Sequence, residues 1–221
     1  GVARPGVGPA PAATGRVKLH AEADGVFFAG RAIIDAINAI DPGITVATLD
    51  SLREVNAGRL VATVKIIPYA VPASAVDRAV AMASSGAPVG IDAYRPKRIG
   101  VVATRLPSLK PAVMDKTIRV LEGRLAASRS TISGEIRTAH ETAAVAGAIG
   151  EMLARSDIVL VFGASAISDM ADVIPAAIRA AGGRIVHFGM PVDPGNLMLL
   201  GEVGGKPVIG APGCARSPAE N

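Results

Sequence analysis

The sequence predicts an α/β protein: a three-layer domain whose mostly parallel sheet carries helices on both faces, preceded by a smaller α/β accessory region. Three observations predict it. From residue 98 onward, apolar strand-like runs alternate with amphipathic helical stretches, which implies right-handed crossovers onto one sheet. One run, "IVLVF" at 158–162, is continuously apolar, as a central parallel strand covered on both faces must be. Half of the 221 residues are hydrophobic, yet 3% are aromatic and none is Trp, so the core must be built from Ala, Val, Ile and Leu.

Residues 1–15, "GVARPGVGPAPAATG", are Gly, Pro and Ala with little to pack, and predict a disordered linker. A linker at the start suggests a piece of a longer chain. Residues 16–97 form an accessory α/β region. "GRVKLHAEADGVFFAG" holds two strand-like runs, amphipathic helices are expected near 31–40 and 74–84, and residues 57–71 read as a strand closed by Pro68 and Pro72. Glu22, Asp24, Asp50 and Glu54 are expected on loops, with structural roles. Residues 98–221 form the main domain. "RIGVVAT" is a strand ending at Thr104. Residues 110–127 are a helix with Pro111 in its first turn and Met114, Ile118, Leu121 and Leu125 on one face. "STISGEIR" is a second strand, and Thr138 is expected to cap the helix that follows. After the third strand, Asp172 is expected to cap a helix that tolerates Pro175 in its first turn. Its inner stripe is Ile174, Ala177, Ile178 and Ala181, and Gly182-Gly183 ends it. "RIVHFG" and "KPVIGAPG" are further strands. The final "CARSPAEN" looks like a helix start, and the C-terminus too reads as a truncation.

Composition narrows the function. Few aromatics argue against single-stranded nucleic acid, which needs stacking platforms. The net charge of +4 is dispersed. Its densest group, Arg95, Lys97 and Arg98, is too small for a nucleic-acid patch, and mild positive charge suits a small anionic ligand. One cysteine, Cys214, excludes an internal disulfide and any multi-Cys zinc site. It reads as a small loop residue rather than a nucleophile. His20, His140 and His187 lack metal-ligand spacing. No apolar run reaches eighteen residues, so no membrane span is expected. No signal peptide is visible, and a cytoplasmic location is the expectation.

In an open parallel sheet, ligands bind beyond the carboxyl ends of the strands. Four stretches are expected at that edge: Thr104 with the loop leading to Asp115, Gly163-Ala164-Ser165-Ala166, "MPVDPGN" at 190–196, and "GAPGCARSP" at 210–218. Small side chains after the third strand let backbone N–H groups approach a bulky ligand, and Ser165 and Ser168 add hydroxyls. The next helix start favours phosphate. Asp169 and Asp172 would repel phosphate, and make sense as acceptors for ring N–H groups, as metal ligands or as a helix cap. Pro194, Gly195, Asn196, Pro212 and Gly213 form rigid turns that present amides. Arg216 is suited to a bidentate phosphate contact assisted by Ser217. Absence of "GxxxxGK[ST]", and of "GxGxxG" after the first strand, weakens an unrelated nucleotide-binding domain.

These residues in this order resemble the molybdopterin-binding domain family of molybdenum-cofactor biosynthesis. The family pattern, a strand ending in Gly-Gly-(Val/Thr)-Ser/Gly, then an Asp and a helix, reads here "GASAISDMADVIPAAI". The turns at 193–197 and 211–215 look like those of the molybdenum-inserting transferase branch. Asp115-Lys116-Thr117 matches the family's Asp-(Ser/Thr)-Asn element. Ala164 replaces the second glycine, "TRLPSLK" replaces an acidic Thr-Gly-Asp-Glu, and Asn196-Leu197 and Cys214-Ala215 replace Lys-Pro and Asn-Pro. The match covers roughly residues 98–218. Residues 16–97 resemble the accessory region of a subgroup in which such a domain precedes a cytidylyltransferase-like domain.

The resemblance implies that molybdopterin, or its adenylylated form, lies over the strand ends as an anionic pterin substrate. It implies ATP or an adenylyl group in the reaction, a divalent metal such as Mg2+ positioned by Asp115, and a homodimer or homotrimer. The expected function is nucleotide or molybdate transfer. The alternative is a binding module that presents the pterin to a nucleotidyltransferase partner domain, which the missing acids after the first strand favour.

Overall fold

The computed structural model describes residues 5–107 and 111–218. Residues 1–4 of the expected linker, Lys110 at the expected helix start, and residues 219–221 lie outside them. The chain divides into two compact units, Gly1–Tyr94 and Arg95–Asn221.

The first unit holds two antiparallel sheets. One has the order β1 (Val7–Pro9), β2 (Arg16–Ala21), β6 (Leu60–Ile66), β4 (Ile44–Thr48); the other has β5 (Arg53–Val55), β3 (Gly25–Ala29), β7 (Val89–Ala93). Helices α1 (Arg31–Asn38) and α2 (Ala73–Ser84) fall where amphipathic spacing puts them. Phe27, Val61 and Val89 are fully enclosed in the core. Residues 7–9, read from composition as linker, instead pair with β2, Val7 opposite Ala21. Backbone pairing on an edge strand needs no side-chain periodicity and tolerates Pro9, so composition carried no signal for it. Glu54, expected on a loop, lies in β5. Asp24 accepts from Ala57 N–H at 2.8 Å, a structural role.

The second unit is a mixed α/β fold around a six-stranded sheet. The order is β11 (Arg184–Phe188), β12 (Leu199–Val203), β13 (Lys206–Ala211), β10 (Ile158–Phe162), β8 (Arg98–Arg105), β9 (Thr131–Ala139). Pairs β13–β10, β10–β8 and β8–β9 are parallel. Only β12 is reversed, antiparallel to both neighbours. Helix α3 (Pro111–Leu125) lies on one face, where Leu121 packs with Val101 and Phe162. Helices α4 (Thr142–Leu153) and α5 (Val173–Ala180) lie on the other, where Val145, Ile149, Ile174 and Ile178 pack with Val102, Val159, Val161 and Val208. Alternation along β8 and β10 therefore feeds both faces, and sheet and helices form the three layers.

Local details depart from sequence expectation in instructive ways. Thr138 remains in β9 and does not cap α4, whose N-cap is Glu141 without a side-chain bond. Asp172 does hold the N-cap position of α5, but its carboxylate turns away from the helix. "CARSP" yields only a single 3-10 turn, Gly213–Arg216.

Candidate functional site

Strands β8, β9, β10 and β13 run in one sense. So does β11, because it opposes β12, which opposes β13. Their carboxyl ends, Arg105, Ala139, Phe162, Phe188 and Ala211, therefore share one rim. The four stretches expected there, following 104, 162, 188 and 211, leave the sheet at this rim, residues 108–110 of the first lying outside the described residues.

The tightest constellation joins the ends of three adjacent strands. Thr104 is fully buried near the end of β8. Its Oγ1 accepts from the N–H of Ala164, two residues beyond β10, at 2.7 Å. The same oxygen lies 2.8 Å from Nδ1 of His140, the first residue after β9. His140 Nε2 lies 2.8 Å from Oγ of Ser165. Register explains the convergence: Ala103 pairs with Phe162 and Thr104 with Thr138, so the three exits lie side by side. Gly163 is required here by packing. A Cβ would stand 2.7 Å from the Ser165 carbonyl oxygen and 2.8 Å from Ile174 Cδ1. Beside His140 a hollow of about 540 Å³ opens, with Arg105, Pro107, Pro111 and Glu141 among its lining residues.

Arg216 is half-buried and its guanidinium is committed within the protein. It donates to the Gly163 carbonyl at 2.9 Å and to Thr117 Oγ1 at 3.3 Å, with its charge 5.5 Å from the centre of the Phe162 ring. Burial pulls its pKa down. It ties the last turn to α3 and to the loop after β10, rather than being left for a bidentate phosphate contact. Arg124 adds to that tie by donating to the carbonyls of Ala215 and Ser217, both at 2.8 Å.

The loop acids serve the loop. Asp172 Oδ2 accepts from the N–H groups of Ser168 at 2.6 Å and Asp169 at 2.9 Å, and these bonds hold its pKa below the usual carboxylate range. Asp169 accepts from Ala171 N–H at 2.6 Å. The amides of 168 and 169 are thus already spent, as is that of Ala164. Among the described residues, no acceptor is seated on the N–H of Ser165 or Ala166. These two exposed residues keep the amides that the sequence reading gave to the whole stretch.

Asp115 sits on α3 and its Oδ1 accepts from Arg137 Nη2 at 2.6 Å; Arg137 Nε also pairs with Glu135 at 2.7 Å. Among the described residues, no group of three or more His, Cys, Asp or Glu could share a metal ion. With its carboxylate turned to a guanidinium, Asp115 does not fit a metal held by the protein. Pro194, Gly195 and Asn196 lie in the β11–β12 connection, which closes on itself through Met190 N–H to the Asn196 carbonyl and Met198 N–H to that of Gly195. Pro212 and Gly213 form the turn that delivers Arg216.

His140 escaped the sequence reading because a histidine was sought at metal-ligand spacing. Its real signal is position: it directly follows the strand "EIRTA", at the same rim as Thr104 and Ser165. Burial pushes its imidazolium pKa below the usual range, against the charge of Asp172, which raises it. Below about pH 6.5 the unfolded chain takes up this proton first, so stability contributed by neutral His140 is complete above that pH. It is lost as pH falls toward the depressed folded value. The urea midpoint of the wild-type protein should therefore drop more between about pH 7.5 and 5.5 than that of His140→Gln. Parallel drops would refute the effect. Asp172 titrates at lower pH and stays outside this window.

The sequence matches none of the known family models and none of the curated proteins. Among solved structures it is similar to the molybdopterin biosynthesis moeA protein of Pyrococcus horikosii, with 14% identity and a TM-score of 0.38 over 88% of this chain and 63% of that one. A second is molybdenum cofactor biosynthesis protein B, with 18% identity and a TM-score of 0.41 over 59% of this chain and 89% of that one. A third is the protein CinA, of unknown function, from Thermoplasma acidophilum, with 18% identity and a TM-score of 0.39 over 55% and 90%. At these identities and TM-scores the likenesses bear on nothing in the site. No helix among the described residues is long and apolar enough to cross a membrane.

Proposed function

We propose that the second unit is a cytoplasmic molybdopterin-binding domain, acting in molybdenum-cofactor biosynthesis and holding molybdopterin or its adenylylated form at the carboxyl rim of the sheet. The observation that carries this reading is the bonded chain Thr104, His140, Ser165, whose histidine lines an open hollow. It gathers polar groups where a parallel sheet receives ligands, with Ser165 inside the stretch whose sequence resembles the pterin-binding motif. The Ser165 hydroxyl and the amides of 165 and 166 suit an anionic oxygen, and the hollow has the volume of a small-molecule site.

Between transfer and presentation, the Asp115–Arg137 ion pair favours presentation. The acid that the resemblance assigns to metal and reaction is neutralised by a guanidinium. The domain then hands its pterin to a nucleotidyltransferase partner, such as a cytidylyltransferase-like domain of the same protein, and self-association as a dimer or trimer is compatible with that role.

The test is co-purification. Expressed in cells that make molybdopterin, the protein should carry a pterin that becomes fluorescent on oxidation. Ser165→Ala should reduce that yield at least several-fold, as loss of a hydrogen bond to a charged group does. A wild-type protein free of pterin would overturn the reading. Turnover of ATP with molybdopterin by the purified chain would overturn presentation in favour of transfer.

A further inference from the structure

Hydrogen-bond accounting around Thr104 fixes the direction of the whole chain of groups. Thr104 is fully buried. Ala164 N–H can only donate, so the Thr104 oxygen accepts from it at 2.7 Å. The hydroxyl also carries a hydrogen, which in a buried position needs an acceptor. Among the described residues, the acceptor in reach is His140 Nδ1 at 2.8 Å. The opposite assignment, Nδ1–H donating to Thr104, would make the oxygen accept twice and strand its hydrogen in the interior. Nδ1 is therefore the acceptor, and the neutral ring carries its hydrogen on Nε2.

The consequence passes to Ser165. Nε2–H donates to Ser165 Oγ across 2.8 Å. That oxygen is an acceptor on the histidine side, so its own hydrogen is directed elsewhere, and the residue is exposed. This polarity is the reverse of a serine nucleophile, whose hydrogen points at a histidine acting as base. Protonating His140 would place hydrogen on Nδ1 and strand the Thr104 hydrogen, a cost that adds to desolvation in keeping the ring neutral.

We infer that Thr104 and His140 are positioning residues of a one-way relay that presents Ser165 as a hydrogen-bond donor, so that this point of the rim selects an anionic oxygen acceptor of the phosphate-monoester class. The inference rests on the proposed rim being the ligand site, but it is tested without a pterin. Charged groups around the relay are Asp172, whose charge reaches His140, Glu141 next to it in sequence, and Arg105, which lines the same hollow with Glu141. A phosphate at Ser165 would be met by the hydroxyl and by the amides of 165 and 166.

The experiment is 15N NMR of the full chain with labelled histidine, using His140→Gln to assign the His140 signals against those of His20 and His187. At neutral pH, Nδ1 should resonate as an unprotonated ring nitrogen and Nε2 as a protonated one. The reverse pattern, or an even mixture, would overturn the inference. Inorganic phosphate should then perturb the His140 nitrogens in a saturable way. Ser165→Ala should weaken that binding by about tenfold, in line with loss of a charge-assisted hydrogen bond. Ser165→Thr, which keeps a hydroxyl, should restore most of it. A His140 signal unmoved by phosphate, or Ser165→Ala binding like wild type, would refute the acceptor selection. The two readings fail separately. A chain that shows the relay and responds to phosphate but carries no pterin loses only the molybdopterin assignment. A chain that carries pterin with hydrogen on Nδ1 loses only the relay.

Discussion

Thr104→Val should destabilise the second unit by about 2–3 kcal/mol, with little change in shape. Valine replaces threonine almost atom for atom, so no cavity opens at this fully buried position. What disappears is an oxygen that accepts from Ala164 N–H and bonds to His140 Nδ1. Each stranded partner costs roughly 1–3 kcal/mol, and partial exposure of Ala164 and His140 lets water recover some of it. Thr104→Ser keeps the hydroxyl and removes one methyl, which costs about 1 kcal/mol in a core. Urea unfolding of the three proteins at about pH 7.5 separates the cases. Equal stability of Thr104→Val and wild type would show that the hydroxyl does not hold the rim.

The second large effect separates two neighbouring glycines. Helix α5 ends in a paired motif: Gly182 N–H donates to the Arg179 carbonyl and Gly183 N–H to that of Ile178, with Gly182 at φ +80°. A Cβ on Gly182 meets nothing within 4 Å, so Gly182→Ala costs only the left-handed backbone penalty, about 1 kcal/mol. A Cβ on Gly183 would stand 2.5 Å from the Glu202 carbonyl oxygen and 2.8 Å from that of Ile178. Both are backbone atoms fixed by a strand and a helix, and neither yields cheaply. Gly183→Ala should therefore cost about 3 kcal/mol or more. The order of the two denaturation midpoints is the measurement, and equal midpoints would contradict the packing described at β12.

Much of the second unit was legible because burial on two faces writes itself into the sequence. β8 and β10 are long apolar runs, and the 4-3-4 spacing of Met114, Ile118, Leu121 and Leu125 marks α3. The reversed strand β12 was not legible. "LLGEV" is short and carries no alternation, and its one strong signal is the Gly204-Gly205 pair with φ of +57° and +76°, a tight hairpin turn into β13. In the first unit, β4 and β7 alternate, burying Ile44 with Val46 and Val89 with Ile91, whereas β1 and β5 are too short to show a period and are placed by backbone pairing.

The rim was legible as a place but not as a set of contacts. Sequence position put Thr104 and Ser165 there, while the residue between them, His140, comes 36 residues after one and 25 before the other. Asp172 was placed correctly at a helix start, yet its carboxylate serves the loop behind it, because Ser168 and Asp169 offer two amides at once. Asp115 looked free because its partner, Arg137, stands on the edge strand β9. Ion pairs and hydrogen-bond directions between separated segments have no periodicity to read.

The strand that completes the sheet comes from the final stretch of the described chain: β13 inserts between β12 and β10, pairing Val159 with Val208 and Phe162 with Ala211. During translation, β8, β9 and β10 emerge long before the segment that lies alongside them. The nascent polypeptide leaves the β10 flank without its native neighbour until Lys206–Ala211 clears the ribosome, which makes the β10–β13 pairing a long-range closure of the sheet.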